Sequence, residues 1–187
     1  MTPYYNKTSQ NGLIHHFNSI ADSVNIPALL YNVPSRTGVN ILPETYLELS
    51  KHDNLVGFKE ANGNISSMAK TMSLVGDSLA MYSGDDDQTV PILSLGGKGV
   101  ISVLSNVAPG VVHNICQLFF DGKLKESREL SFKYLALMNA MFCDVNPIPV
   151  KAAMAKLGYC EEDMRLPLYP LDDANRAKLY KAMEVLN

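Results

Sequence analysis

The sequence predicts an α/β fold in which parallel strands alternate with helices, followed by an all-helical segment. Three observations predict it. Four short apolar runs are nearly continuous in place of alternating, which fits strands covered on both faces of a parallel sheet. Amphipathic segments lie between them, so strand plus helix recurs at intervals of about 25 residues, the length of a βα repeat. After Asp121 the strand pattern stops and helical patterns continue to the end. By themselves these features fit either an α/β barrel or a doubly wound sheet.

The elements follow in order. Gln10 to Ser23 carries Leu13, Ile14, Phe17, Ile20 and Ala21 at helical spacing. Pro27 to Val33 (PALLYNV) is the first strand run, ended by Pro34. Pro43 to Ser50 opens with proline at a first-turn position, where its missing N–H costs little. Asn54 to Lys59 (NLVGFK) is the second strand run. Asn64 to Val75 is a helix with a cap residue at its start and Gly76 at its end. Leu79 to Ser83 (LAMYS) is the third strand run. Asp85 to Leu95 opens with three acids, Asp85-Asp86-Asp87, read as cap and dipole partners of a helix in preference to a Mg²⁺ site. Gly96-Gly97-Lys98-Gly99 lacks P-loop spacing and precedes a strand, so it reads as a turn. Gly99 to Leu104 (GVISVL) is the fourth strand run, and Ala108 to Phe120 the helix after it. Lys123 to Phe142, Pro149 to Lys156 and Asp172 to Leu186 are three further helices, with proline-rich joints at Asn146 to Pro149 and Leu166 to Pro170. The domain division read from this pattern is 1–121 for the partial βα barrel and 122–187 for the helical subdomain.

Composition narrows the function classes. The 187 residues carry 16 Lys+Arg against 19 Asp+Glu, a net charge of −3. That balance lacks the positive excess of a nucleic-acid-binding domain. Hydrophobic residues make up 47% and charged ones 19%, enough to bury a core and too apolar for disorder. Cys116, Cys143 and Cys160 are odd in number and far apart. They form neither a CxxC pair nor a disulfide framework, which favours a reducing compartment. Cys116, on an apolar helix, reads as a buried small hydrophobe. His15 and His16 are adjacent on a helix and point apart, so they do not make a two-His metal site. Met1 to Gln10 lacks the charged and apolar regions of a secretory signal. Gly99 to Phe120 holds no charged residue for 22 positions, but its serines, asparagines and Pro109-Gly110 speak against a membrane span. The expectation is a soluble cytoplasmic protein without metal or cofactor.

Sites in parallel α/β folds gather at the C-terminal ends of strands. Those ends offer Tyr5, Tyr31, Lys59, Ser83-Gly84 and Ser102. Tyr5, Tyr31 and Lys59 lie 26 and 28 residues apart, one repeat each, so neighbouring strands can present them at one mouth. A lysine ending an apolar strand faces a barrel interior, where desolvation favours the neutral, nucleophilic amine. The plainer alternative is a lysine that reaches solvent beside Glu60. Tyr31 is either a proton relay or a core aromatic with its hydroxyl satisfied by backbone. Arg36 lies in a loop bracketed by Pro34 and Gly38, placed either for bidentate carboxylate binding or for a surface ion pair.

Six ordered strings carry a resemblance: TPYYN (2–6), YNVPSRTG (31–38), GFKEANG (57–63), SGDD (83–86), GGKGVIS (96–102) and NPIPVK (146–151). Together they resemble the dihydrodipicolinate synthase (4-hydroxy-tetrahydrodipicolinate synthase) family of class I aldolase-type lyases. The resemblance implies a TIM (βα)8 barrel with a C-terminal helical subdomain, usually in a homotetramer of tight dimers. It implies condensation of pyruvate with aspartate semialdehyde in the diaminopimelate route to lysine. Lys59 would form the Schiff base with pyruvate and Tyr31 would relay protons. Arg36 would receive the semialdehyde's carboxylate. Tyr5 would reach into a neighbouring subunit's site, and Tyr4 would pack at that interface. Gly84 and Ile101 would line the pyruvate pocket. Ser35-Arg36 favours this activity over the related sialic-acid lyases.

The sequence also departs from the family. A full (βα)8 barrel needs about 250 residues. The first three βα units are absent, and with them the Gly-Thr-Thr-Gly-Glu stretch that supplies a bridging threonine and part of the pyruvate carboxylate site. Thr2-Pro3-Tyr4 reads as the end of a fourth strand. The expectation is therefore the last four to five βα units of a barrel, a fragment or a truncated reading frame. Its open face would expose apolar interior and strand edges. Two alternatives remain: another pyruvate aldolase of the superfamily, or a non-catalytic remnant.

Overall fold

Residues 1–186 are described by a computed structural model of the chain. They divide into two compact units, Met1–Ile101 and the residues from Ser102 on. In the first unit the order is α1 (Gln10–Asp22), β1 (Ala28–Asn32), α2 (Pro34–Thr37), α3 (Pro43–Leu49), β2 (Leu55–Glu60), α4 (Ile65–Val75), β3 (Ala80–Ser83), α5 (Thr89–Ser94) and β4 (Gly99–Val100). The strands form one parallel sheet in the order β1-β2-β3-β4. Consecutive parallel neighbours joined through helices are what βα repeats produce.

The register sorts the strand residues into rows. Leu30, Phe58 and Met81 stand side by side and are buried against α1, α3, α4 and α5. Leu13 and Phe17 of α1, Tyr46 and Leu49 of α3, and Met68 of α4 complete that core. One residue further along, the row Tyr31–Lys59–Tyr82–Gly99 faces the other way, since neighbouring side chains in a strand alternate. Apolar residues on this second face stay open: Leu29 is 46% and Ile101 42% exposed. The next row, Asn32–Glu60–Ser83, returns to the helix side and is both polar and buried.

Local chemistry sets the helix ends. The Ser9 hydroxyl accepts from the Gly12 N–H and caps α1. Asn64 caps α4 through the Ser67 N–H, as its residue type foretold. Pro43 occupies the first turn of α3.

Several expectations need correction. The fourth strand run is a strand only over Gly99–Val100, because Leu104 belongs to a 3₁₀ turn, Leu104–Asn106, where the Ser102 hydroxyl takes the Ser105 N–H. The three acids do not cap α5. Asp86 and Asp87 lie in a 3₁₀ turn before it, and Pro91 sits in its first turn, where a missing N–H costs nothing. Ile20, expected on the inner face of α1, is largely exposed. Thr2-Pro3-Tyr4 forms no strand, although the Thr2 N–H donates to the Tyr31 carbonyl as a neighbouring strand would.

The second unit contains α6 (Pro109–Phe120), α7 (Leu124–Ala140), α8 (Ile148–Lys156) and α9 (Asp173–Ala182). α6 packs on α7, and α9 on both α7 and α8. The buried Ser127 hydroxyl of α7 donates to the Ile115 carbonyl of α6. Asp172 caps α9 in place of opening it, accepting from the Asn175 N–H. Cys116 is half-buried, not enclosed. No helix of the described residues is long and apolar enough to cross a membrane.

Candidate active site

The row Tyr31–Lys59–Tyr82 lies on the open face at the C-terminal ends of β1, β2 and β3. Tyr31 and Lys59 are register partners, and the Lys59 Nζ lies 4.3 Å from the centre of the Tyr31 ring. The lysine is thus held over an aromatic face instead of beside Glu60. A cation over a phenol ring is attracted by the ring quadrupole, which fixes where the amine rests. The parallel ladder carries on past the strand ends, with N–H donations from Ala61 to Asn32, Gly84 to Glu60 and Ile101 to Ser83.

Gly84 closes in on the lysine. A Cβ there would stand 3.2 Å from the Lys59 Cε, 2.9 Å from the Glu60 carbonyl and 2.6 Å from the Ala61 Cβ. The two shorter approaches involve backbone and a short fixed side chain, so only glycine lets β3 come this near to the end of β2. Ile101, one residue beyond β4, adds an exposed apolar side chain to the same face.

Arg36 sits on the one-turn helix α2, not in a loop as expected. Pro34 starts that turn, and Gly38 ends it in the left-handed region with φ 69°. The buried Thr37 hydroxyl anchors it, donating to the Val39 and Val33 carbonyls and accepting from the Thr2 hydroxyl at 2.8 Å. Arg36 itself is exposed. Tyr4 and Tyr5 stand apart from the Tyr31–Lys59 pair in environment, at 68% and 91% exposure. Tyr5 takes φ 62°, which is unusual for a residue with a Cβ.

Sequence reasoning missed two acids. Asp85 follows Gly84 and is half-buried. Burial raises its carboxyl from the usual value, the charge on Asp87 adds to the rise, and Lys59 pulls it back. Lys59 and Asp85 therefore sense each other across the strand ends.

The second is Glu60, which the sequence suggests only as the solvent-side neighbour of Lys59 in the plainer alternative. It is 1% exposed and turns to the opposite side of the sheet. Its carboxylate accepts from the Asn32 Nδ2 at 2.9 and 3.1 Å, from the Tyr46 hydroxyl at 3.0 Å and from the Asn62 N–H at 2.9 Å. The signal for it was the pleat itself: if Lys59 faces the open side, Glu60 must face the helices. Burial pushes the Glu60 carboxyl from 4.5 up to about 7, with its hydrogen bonds pulling the other way. The same desolvation, with the nearby Glu60 charge, raises the Tyr46 phenol well above its usual value.

This shift has a sign. A folded-state value above the unfolded one means Glu60 adds stability below about pH 4.5, lost as pH rises through about 7. At about 1.4 kcal/mol per unit, the swing is on the order of 3 kcal/mol. Chemical denaturation of wild type and Glu60→Gln between these pH values isolates it. Wild type should lose stability relative to the variant as pH rises; parallel curves would refute the assignment.

Among the described residues, no group of three or more His, Cys, Asp or Glu side chains is placed to hold a metal ion. The arrangement can offer one amine set over the Tyr31 ring, Tyr82 in the same row and an open apolar face, which suits addition of an amine to a small carbonyl compound.

A sequence model of the dihydrodipicolinate synthetase family matches residues 1–186. The chain is 55% identical over 175 residues to 4-hydroxy-tetrahydrodipicolinate synthase of Clostridium perfringens, covering 94% of this chain and 60% of that protein. It is 49% identical over 187 residues to the enzyme of that name from Alkaliphilus oremlandii, covering all of this chain and 64% of the relative. The crystal structure of dihydrodipicolinate synthase from Thermotoga maritima superposes with a TM-score of 0.95 at 43% identity, covering 98% of this chain and 63% of that one. The chain thus spans less than two thirds of the length of these relatives, and its sheet corresponds to part of a TIM barrel. With the match running from the first residue to the last described one, the chain belongs to the dihydrodipicolinate synthetase family.

Proposed function

We propose that the chain carries the Schiff-base half of a dihydrodipicolinate synthase-type lyase, with Lys59 as nucleophile towards pyruvate. The observation that supports this most is the Lys59 Nζ poised 4.3 Å from the Tyr31 ring centre, with Gly84 packed against the lysine stem. The Nζ lone pair adds to the ketone carbon of pyruvate. The carbonyl oxygen leaves as water after taking up protons, and an iminium forms. The Tyr31 hydroxyl, on the ring that the amine overlies, is assigned to carrying protons to and from this centre. Loss of a methyl proton then gives an enamine whose carbon bonds to the aldehyde carbon of aspartate semialdehyde. The aldehyde C=O pair moves to its oxygen, which takes up a proton to become a hydroxyl. The regenerated iminium is cleaved by the substrate's own amine or by water, which frees the Lys59 amine. Arg36, exposed on α2, is assigned to that substrate's carboxylate. Ile101 and Gly84 line the pyruvate side.

Tyr4 and Tyr5 are assigned to contact with a second copy of the chain. Their high exposure supports that reading. The protein is placed in the cytoplasm as a homo-oligomer, with residues 1–121 forming the partial barrel and the helices after it a subdomain.

Borohydride trapping with pyruvate, read by intact mass and peptide mapping, tests the proposal. A reduced pyruvyl adduct on Lys59 supports it. A folded sample without adduct overturns it and leaves a non-catalytic member of the family. If turnover with semialdehyde is seen, Arg36→Ala should raise KM about tenfold or more, as expected for a charge-assisted bidentate contact. An unchanged KM would move the substrate assignment to another pyruvate aldolase.

A further inference from the structure

We propose that Glu60 is a positioning residue, which holds the Tyr31–Lys59 pair and the segment after α2 in one geometry from behind the sheet. The inference rests on the Schiff-base reading for its catalytic consequence only; the positioning can be measured without it.

Glu60 and Asn32 are register partners, and each is one residue beyond a member of the Tyr31–Lys59 pair. One peptide unit separates each anchored side chain from the site residue before it. Fixing Glu60 against Asn32 therefore fixes where Lys59 and Tyr31 leave the backbone on the opposite face. The Asn32 amide then spreads the constraint. Its Nδ2 donates to the Asn40 Oδ1 at 2.8 Å as well as to Glu60, and its Oδ1 accepts from the Ile41 N–H. Asn40 and Ile41 lie in the segment that follows α2, the helix of Arg36. The Asn62 N–H ties in the loop after β2, and Tyr46 ties in α3. A single buried carboxylate thus joins the ends of β1 and β2 and three segments around them.

Every hydrogen bond made to the two carboxylate oxygens is donated to them. That array fits the ionised acid. On protonation, one oxygen becomes a donor facing donors, and the Tyr46 hydroxyl must turn to accept. The groups that meet Glu60 are the Tyr46 phenol from α3, the neutral Asn32 amide from β1 and the backbone amides of Ala61 and Asn62. Burial places the titration of Glu60 at about 7, so the rearrangement falls in the neutral range.

The test uses the full chain, reductively methylated with ¹³C-formaldehyde, and follows the Lys59 methyl signal by NMR. The signal is assigned by its absence in Lys59→Arg. The Tyr31 ring beneath the amine shifts it, so its position reports the geometry of the pair. In wild type it should move with a midpoint near the Glu60 titration at about 7. In Glu60→Gln that movement should vanish. In Tyr46→Phe, which removes one donor to the carboxylate, the midpoint should rise. A folded Glu60→Gln with the wild-type signal and pH response overturns the inference. If that variant does not fold, an unchanged midpoint in Tyr46→Phe overturns it. Pyruvate trapping on the unmethylated wild type runs in parallel: a missing adduct refutes the Schiff-base reading, while the NMR titration still decides on Glu60.

Discussion

Lys59→Ala is expected to abolish pyruvyl adduct formation while leaving the fold in place. Adduct formation requires a primary amine that can lose a proton and form a double bond to carbon, and alanine supplies none. Lys59→Arg sharpens the test. The guanidinium keeps a cation over the Tyr31 ring, yet it stays protonated and does not condense with ketones under these conditions. It should be as inactive as alanine. Both variants keep the β2 ladder, since the backbone N–H and C=O bonds do not involve the side chain. The half-buried stem touches the open face, not the helix-side core, so the unfolding free energy should change by about 1 kcal/mol or less. An adduct that survives in Lys59→Ala, mapped to another lysine, would show that the nucleophile has been misassigned.

Phe58→Ala should have the largest effect on stability, costing about 3–5 kcal/mol. Phe58 is fully buried in the row Leu30–Phe58–Met81, and its ring centre lies 4.4 Å from that of Tyr46. Removing the ring opens a cavity between β2 and α3 that the ladder on both sides of β2 keeps from collapsing. It also removes the wall against which Tyr46 rests, and with it the setting of the Tyr46 hydroxyl on Glu60. A loss of that size is a large part of the 5–15 kcal/mol or so that separates folded from unfolded domains. Urea denaturation of wild type and variant measures it directly. A loss below about 1 kcal/mol would mean that the row is not the centre of the core.

The two variants differ by one residue and by one face of the sheet, which shows what the sequence could convey. NLVGFK followed by Glu60 was legible as a strand with a lysine at its end, because a near-continuous apolar run marks a parallel strand on any background. Lys59 and Tyr31 were legible as a pair because one βα repeat separates them. The role of Glu60 was not legible. An acid next to a lysine ordinarily means a solvated ion pair, and only the assembled sheet shows that Asn32, Tyr46 and the Asn62 amide converge on it. The acids 85–87 misled in the opposite direction. Their composition suited a helix start, but Pro91 and the 3₁₀ turn placed α5 later and left Asp85 at the strand end within electrostatic reach of Lys59.

The sequence by itself determined the βα alternation, the parallel sheet, the capping of α4, and the family. Each of these depends on short-range pattern: runs, caps, turn residues and ordered motifs. Only the tertiary structure decided which side of the sheet each strand residue faces, that Arg36 stands on a helical turn, and that Gly84 clears the approach to the Lys59 stem. It also decided that a buried carboxylate lies behind the candidate nucleophile. These depend on register between strands brought together across some 28 residues of chain, and on the cost of burying charge. Neither is written in any local stretch of residues.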